Sequence, residues 1–341
     1  MNIKTSIAQL RPYYPKLVKA SIRLDANEQN ESLNGLLSSL KDVELHRYPM
    51  HQDQRLIDAL ASTYGYQPGT LLLASGSSEC LDLIIKTYVN PHDALLTVSP
   101  TFVMFERYTR LANGRYLSVK ESSDTVQQLM SKAKDEKPKI IMLANPNNPT
   151  GTYIAMADIR ILIQSLPQTI IVIDEAYIEF VPGCPTLASW VKDFPNLIVT
   201  RTFSKAWGLA SLRLGYLIAQ PQRIAELLVA KTPYSIPTLS NVLGFKALAQ
   251  VSMMEKRVKT MMDLRTKFQT LLRELKIRYT PSFANFVYIQ EPRFNLYEAL
   301  LKRGILIRQY EQGAYRISIG TSREMKTVMT TIKEIYHESN I

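Results

Sequence analysis

The sequence predicts an α/β fold: a large domain with a mainly parallel sheet sandwiched by helices, plus a smaller α+β domain. Two observations carry this. Short apolar runs recur between helix-like stretches, and several lack the alternation of a half-exposed strand, as strands covered on both faces do. After about residue 222 the strand–helix–strand rhythm gives way to a long helical region and three further strand-like runs.

The elements follow in order. Residues 1–30 are polar, contain Pro12 and Pro15, and read as an arm that wraps another surface. Residues 31–222 form the large domain, with strands expected at 70–74, 94–98, 139–144, 169–173, 196–201 and 214–219. Amphipathic stretches at 77–89, 101–113 and 156–165 supply helices between them. Residues 223–341 form the small domain: a helical region at 236–276, a strand at 285–290, a helix at 293–303, strands at 304–310 and 314–320, and a closing helix from 322. An antiparallel sheet is expected there.

Composition narrows the function classes. With 341 residues, 46% of them hydrophobic, the chain can bury a sizeable core. The net charge of +11 is scattered, and the densest basic cluster, "KAKDEKPK", is interrupted by Asp135 and Glu136. That pattern, without a recognisable nucleic-acid motif, speaks against nucleic-acid binding and leaves room for a small anionic substrate. No run approaches the roughly 18 apolar residues of a membrane span. The first residues lack the apolar core of a signal peptide, and Cys80 and Cys184 stand far apart, so a reducing cytoplasm is the expected compartment. Four histidines in no ligand-like spacing predict no metal site, and no G-x-G-x-x-G follows a strand.

In open parallel sheets ligands bind beyond the carboxyl ends of the strands. The residues following five of the expected strands are "SGSSE", "SPTF", "NPNNPTG", "DEAY" and "TFSK". Singly, each has an ordinary reading: a helix cap, a core aromatic, a turn, a capping acid, a surface lysine. Together they place an anion cradle, an aromatic ring, an amide, a carboxylate with a phenol, and an amine on one rim. That set matches the needs of pyridoxal 5′-phosphate. Lys205 would form a Schiff base with its aldehyde, and Asp174 would pair with its pyridine nitrogen. Asn148 and Tyr177 would bond the ring hydroxyl, and Phe102 would cover a ring face. The helix start at Gly76, Ser77 and Ser78, with Thr202, Ser204 and Arg213, would hold the phosphate.

The motifs "LDANE", "RYP", "NPNNPTG", "IDEAYIEF", "RTFSKAWGLASLRLGY" and "YRISIGT" resemble those of fold-type I aminotransferases, and within them the histidinol-phosphate aminotransferases, over nearly the whole length. The resemblance implies Lys205 as the cofactor-bound lysine, Asp174 as the ring-nitrogen partner, and Tyr177 beside them as a catalytic group. It also implies a homodimer with shared sites, in which Tyr48 reaches the neighbouring subunit's cofactor phosphate. Arg316 would bind the carboxylate of the amino-acid partner, Arg308 and Tyr13 the substrate's anionic end, and Asn27 and Asn148 would also contribute to substrate binding. Substrates would be a small amino donor and a 2-oxo acid. The chain departs from the family pattern at "NEQN", "GSSE", "GLASLR" and "PYS", none of which touches the lysine, aspartate or arginine. An aromatic-amino-acid aminotransferase and an O-phospho-amino-acid decarboxylase of the same fold remain open alternatives.

Overall fold

A computed structural model describes residues 5–8, 10, 18–29, 31, 34–40, 43–311 and 313–338. Its strands, in chain order, begin with β1 (Ile22–Leu24). They continue with β2 (Leu71–Ala74), β3 (Ala94–Ser99), β4 (Arg115–Lys120), β5 (Ile140–Ala144), β6 (Ile170–Asp174), β7 (Leu197–Thr202) and β8 (Gly215–Ile218). The last four are β9 (Arg278–Thr280), β10 (Phe286–Gln290), β11 (Ile305–Gln309) and β12 (Ala314–Ser318).

Strands β2 to β8 make one sheet in the order β2-β8-β7-β6-β5-β3-β4. Only β8 runs against its neighbours, pairing antiparallel with both β2 and β7. The carboxyl ends of β2, β3, β5, β6 and β7 therefore share one rim. The absence of alternation in the apolar runs has a direct cause. Ile141, Leu143, Ile171, Ile173 and Val199 pack into one core, while Ile140, Met142, Ile170, Val172 and Ile198 pack into another on the opposite face. Burial of each such side chain contributes about 1.5–3 kcal/mol.

The sequence pattern did not mark β4. It is an edge strand, paired only with β3, and its residues are half-buried or exposed, so "RYLSVK" carries a mixed pattern. The expected helix at 236–276 is two helices, Thr238–Leu248 and Val251–Glu274. No proline or glycine stands at the junction, Ala249–Gln250, which is why the pattern read as continuous. The helix expected at 293–303 is confined to Leu296–Leu301, with the Asn295 side chain accepting the Glu298 amide at its start.

The second sheet has the order β1-β11-β12-β10-β9. It is mixed rather than antiparallel throughout, because β1 lies parallel to β11. Strand β1 comes from the segment expected to be an arm, so residues 22–24 of that segment belong to this sheet. Arg265, buried in the long helix, donates to the carbonyls of Phe180 and Ala284 at 3.2 and 2.8 Å, tying the helix to both the large sheet's loops and the approach to β10. Among the described residues no helix is long and apolar enough to cross a membrane.

Candidate active site

The rim of the large sheet presents the expected groups in sequence. Asp174 closes β6 and is buried. Burial raises its carboxyl to about 6, against the Thr200 hydroxyl, the Ala176 amide and the Lys205 charge, which favour the ionised form. The next residue, Glu175, serves packing instead: its carboxylate accepts from the Thr186 hydroxyl and the Leu187 amide at 2.6 Å each.

Lys205 follows β7 and is half-buried. Its Nζ donates to the carbonyl oxygens of Ala26 and Asn27 at 3.1 and 3.2 Å, and stands 5.8 Å from the centre of the Tyr177 ring. Burial and the nearby Arg316 and Arg213 charges bring its ammonium down to about 8, with Glu28 and Asp174 opposing. The lysine is thus an amine poised near neutrality, not a surface residue.

Tyr177 is buried, and burial first of all pushes its phenol up to about 12. Its oxygen accepts from Asn27 Nδ2 at 3.0 Å. Asn27 is itself buried, with φ of 54°, and its orientation is set from β12: the Ser318 hydroxyl donates to Asn27 Oδ1 at 2.8 Å and accepts the Asn27 amide at 3.0 Å. Asn285 Nδ2 donates to the Asn27 carbonyl at 3.2 Å. The side chain of Asn27, expected at the substrate, bonds Tyr177 and Ser318.

Asn148 lies on the loop after β5. Its neighbours hold that loop: Asn145 bonds both backbone groups of Ile154, and Asn147 donates to the Pro100 carbonyl at 2.9 Å. Asn148 Oδ1 accepts from Arg316 Nη1 at 2.7 Å, while Nη2 of the same guanidinium donates to the Asp25 carbonyl at 2.7 Å. Arg316 is buried on β12 and lies over the Phe286 ring at 5.3 Å. Arg308, half-buried on β11, sits directly across from it in the strand register.

The anion cradle is also assembled. The helix Gly76–Tyr88 starts directly after β2, with Gly76 at φ of 79° and Ser77 and Ser78 in its first turn. A Cβ at Gly76 would stand 2.6 Å from Arg213 Nη2, and one at Gly215 would stand 2.5 Å from the Ser77 amide nitrogen. Both positions need glycine for this close approach. Thr202 Oγ1 donates to Ser204 Oγ at 3.0 Å, and Arg213 Nη1 reaches the same oxygen at 3.4 Å. Backbone amides at a helix start, two hydroxyls and a guanidinium make a donor set suited to a phosphate dianion. With an amine and a buried carboxylate on the same rim, the residues fit pyridoxal 5′-phosphate.

Two expected residues, Phe102 and Tyr48, pack against other aromatic rings. Phe102 is half-buried and packs edge-on against Phe105, with ring centres 5.8 Å apart. Tyr48 is 85% exposed and stacks on Tyr234 at 5.1 Å. Tyr13 lies outside the described residues. The sequence reading did not mark Thr200, and it gave no role to Ser318 or Asn285, which lie in the motifs "YRISIGT" and "ANF". The strand period offered a signal for Ser318, since residues 316 and 318 share a face of β12.

Comparison with known proteins agrees with this geometry. The chain is 30% identical to a histidinol-phosphate aminotransferase of Thermoanaerobacter pseudethanolicus, over 98% of each chain. It is 31% identical to one of Parabacteroides distasonis, over 98% of this chain and 97% of the relative. Its fold superimposes on a crystal structure of histidinol-phosphate aminotransferase from Sinorhizobium meliloti in complex with pyridoxal 5′-phosphate, with a TM-score of 0.88 at 22% identity and 98% coverage of both. Residues 15–332 match the family model for aminotransferase class I and II. With the lysine, carboxylate and anion cradle gathered on one rim, the chain belongs to the class I and II aminotransferases, enzymes that use pyridoxal 5′-phosphate.

Proposed function

We propose that this aminotransferase moves the amino group of L-histidinol phosphate to 2-oxoglutarate, giving imidazole-acetol phosphate and L-glutamate, in histidine biosynthesis in the cytoplasm. One observation carries the chemistry: an amine whose ammonium is brought down to about 8 and a buried carboxylate share one rim, and Arg316 of the smaller sheet is bonded to Asn148 on that rim. The choice of substrate is supported by the curated relatives, which match over almost their full length.

The bound cofactor supplies an aldehyde for amine exchange and a protonated ring that withdraws electrons from the reacting carbon. In this reading Asp174 is the partner of the ring nitrogen. Lys205, with its ammonium near 8, can both accept and return a proton at working pH, which suits the base at the substrate Cα. Tyr177 accepts a hydrogen bond from Asn27, so its own proton is free to be donated to the ring oxygen. Asn148 is assigned to the same oxygen. Gly76, Ser77, Ser78, Thr202, Ser204 and Arg213 hold the phosphate, and Phe102 flanks the ring. Arg316 takes the carboxylate of glutamate or 2-oxoglutarate; Arg308 and Tyr13 take the anionic end of the substrate.

The reading includes a homodimer with shared sites. Tyr48, Leu45 and Met50 are 85%, 76% and 56% exposed, an apolar group on one short segment that a second subunit would cover. Tyr48 would then reach the partner's cofactor phosphate.

A stopped-flow panel of amine donors tests the substrate. Histidinol phosphate should convert the cofactor fully to its amine form with the highest kcat/KM, ahead of phenylalanine, tyrosine and O-phosphothreonine. Preference for the aromatic amino acids, or release of carbon dioxide from phosphothreonine, would sink the proposal.

A further inference from the structure

We infer that Thr200 is a positioning residue for Asp174: its hydroxyl fixes the carboxylate and keeps it ionised opposite the cofactor ring nitrogen. The inference rests on the reading of Asp174 as that partner.

The geometry is specific. Strands β6 and β7 are parallel, and Thr200 is the direct register partner of Asp174. Its Oγ1 donates to Asp174 Oδ1 at 2.9 Å. The Thr200 backbone is fixed as well, because its carbonyl accepts the Glu175 amide at 2.9 Å. Thr200 is 0% exposed and Asp174 5%, so the bond lies in the buried interior.

Apolar residues precede this position on β7. Ile198 and Val199 precede it and are fully buried, and a β-branched apolar residue would fill the same volume. Packing alone therefore does not call for a hydroxyl here. A buried hydroxyl needs a partner, and among the described residues the one that accepts from it is the Asp174 carboxylate.

The bond has a chemical consequence. A carboxylate and a pyridine nitrogen facing each other compete for one proton. A donor to the carboxylate lowers its proton affinity and leaves the proton on the ring, where it is needed for electron withdrawal. The other ionisable groups that act on Asp174 are Lys205 from the loop after β7, Tyr177 from the loop after β6, and Cys80 from the helix Gly76–Tyr88. Of these, only Lys205 favours the anion by its charge, and Thr200 adds a hydrogen bond that favours it in the same direction.

The test compares the wild-type holoenzyme with Thr200→Val, which keeps the volume, and Thr200→Ser, which keeps the hydroxyl. Two readouts are taken: the ¹⁵N chemical shift of ring-labelled pyridoxal phosphate in the protein, and the pH dependence of its dissociation constant. Loss of a hydrogen bond to a charged group predicts weakening of cofactor binding by about tenfold in Thr200→Val. The ring nitrogen should shift toward its unprotonated value, and the acidic limb of the affinity profile should move to higher pH. Thr200→Ser should restore both. If the valine variant is not recovered folded, Thr200→Ala carries the same expectations. An unchanged nitrogen shift and acidic limb in the hydroxyl-free variant would overturn the role of Thr200 alone. A wild-type protein whose ring nitrogen is unprotonated throughout would instead overturn the pairing with Asp174, and this inference with it.

Discussion

Arg316 on β12 and Asn148 on the loop after β5 are joined by a 2.7 Å hydrogen bond, so the smaller sheet places its cation against an amide of the larger one. The same guanidinium is braced by the Asp25 carbonyl next to β1. A substrate carboxylate meeting Arg316 would therefore meet a side chain already held in position, which spares the entropy of ordering it.

Replacing Arg316 by lysine removes the planar fork while keeping the charge. KM for 2-oxoglutarate should rise roughly tenfold to a hundredfold, the loss of one charge-assisted hydrogen bond. Because the two residues touch, the effects of Arg316→Lys and Asn148→Ala should be non-additive, with a coupling of about 0.5–3 kcal/mol in a double-mutant cycle. Additive effects would mean that the contact does not shape the site.

Lys205 sets a pH dependence whose sign follows from its surroundings. Burial, Arg316 and Arg213 disfavour the ammonium and bring it to about 8 from the ordinary 10.5. The neutral amine is the reactive form, so capture of pyridoxal phosphate by the apoprotein should accelerate about tenfold per pH unit below 8 and level off above it. Stopped-flow absorbance across pH 6–10 checks this; a profile breaking near 10.5 would contradict the assignment. Lys205→Ala should bind the cofactor without a borohydride-trappable bond and lose at least about 10²-fold in turnover.

Gly76→Ala tests the cradle. The position has φ of 79°, and the new Cβ would stand 2.6 Å from the Arg213 guanidinium. Strain at a left-handed residue costs about 1–2 kcal/mol. Both the melting temperature and the cofactor affinity should fall, measured by calorimetry and by equilibrium dialysis. The same substitution at Gly35, which meets nothing within 4 Å, should leave both unchanged.

Shared sites predict complementation. Tyr48→Ala and Lys205→Ala should each be impaired alone. Mixed and re-equilibrated, they should recover about a quarter of wild-type activity, because half the dimers are mixed and each carries one intact site. Sedimentation should report a dimer throughout, and recovery absent from such a mixture would place Tyr48 in its own subunit's site.

Much of the rim was legible because strand ends are marked by abrupt changes from apolar to polar residues, as in "IIVID" before Glu175 and "LIVTRT" before Phe203. Two kinds of information were not. Pairing partners across a sheet leave no local trace, so Thr200 reads as one polar residue within a buried strand until the register sets it beside Asp174. Long-range closure is equally silent: Asn27 and Ser318 are 291 positions apart and meet only through the joining of β1 to β11 and of β11 to β12. Asn27 was legible as part of the site, but its hydrogen bond to Tyr177 was not.

The two carbonyls that receive Lys205 have a stereochemical consequence. An amine nitrogen is tetrahedral, and two of its N–H bonds are spoken for by Ala26 and Asn27. Its remaining valence must point away from that backbone, and in the neutral form this valence is the lone pair. The peptide groups thus act as a jig that aims the nucleophile before any aldehyde arrives.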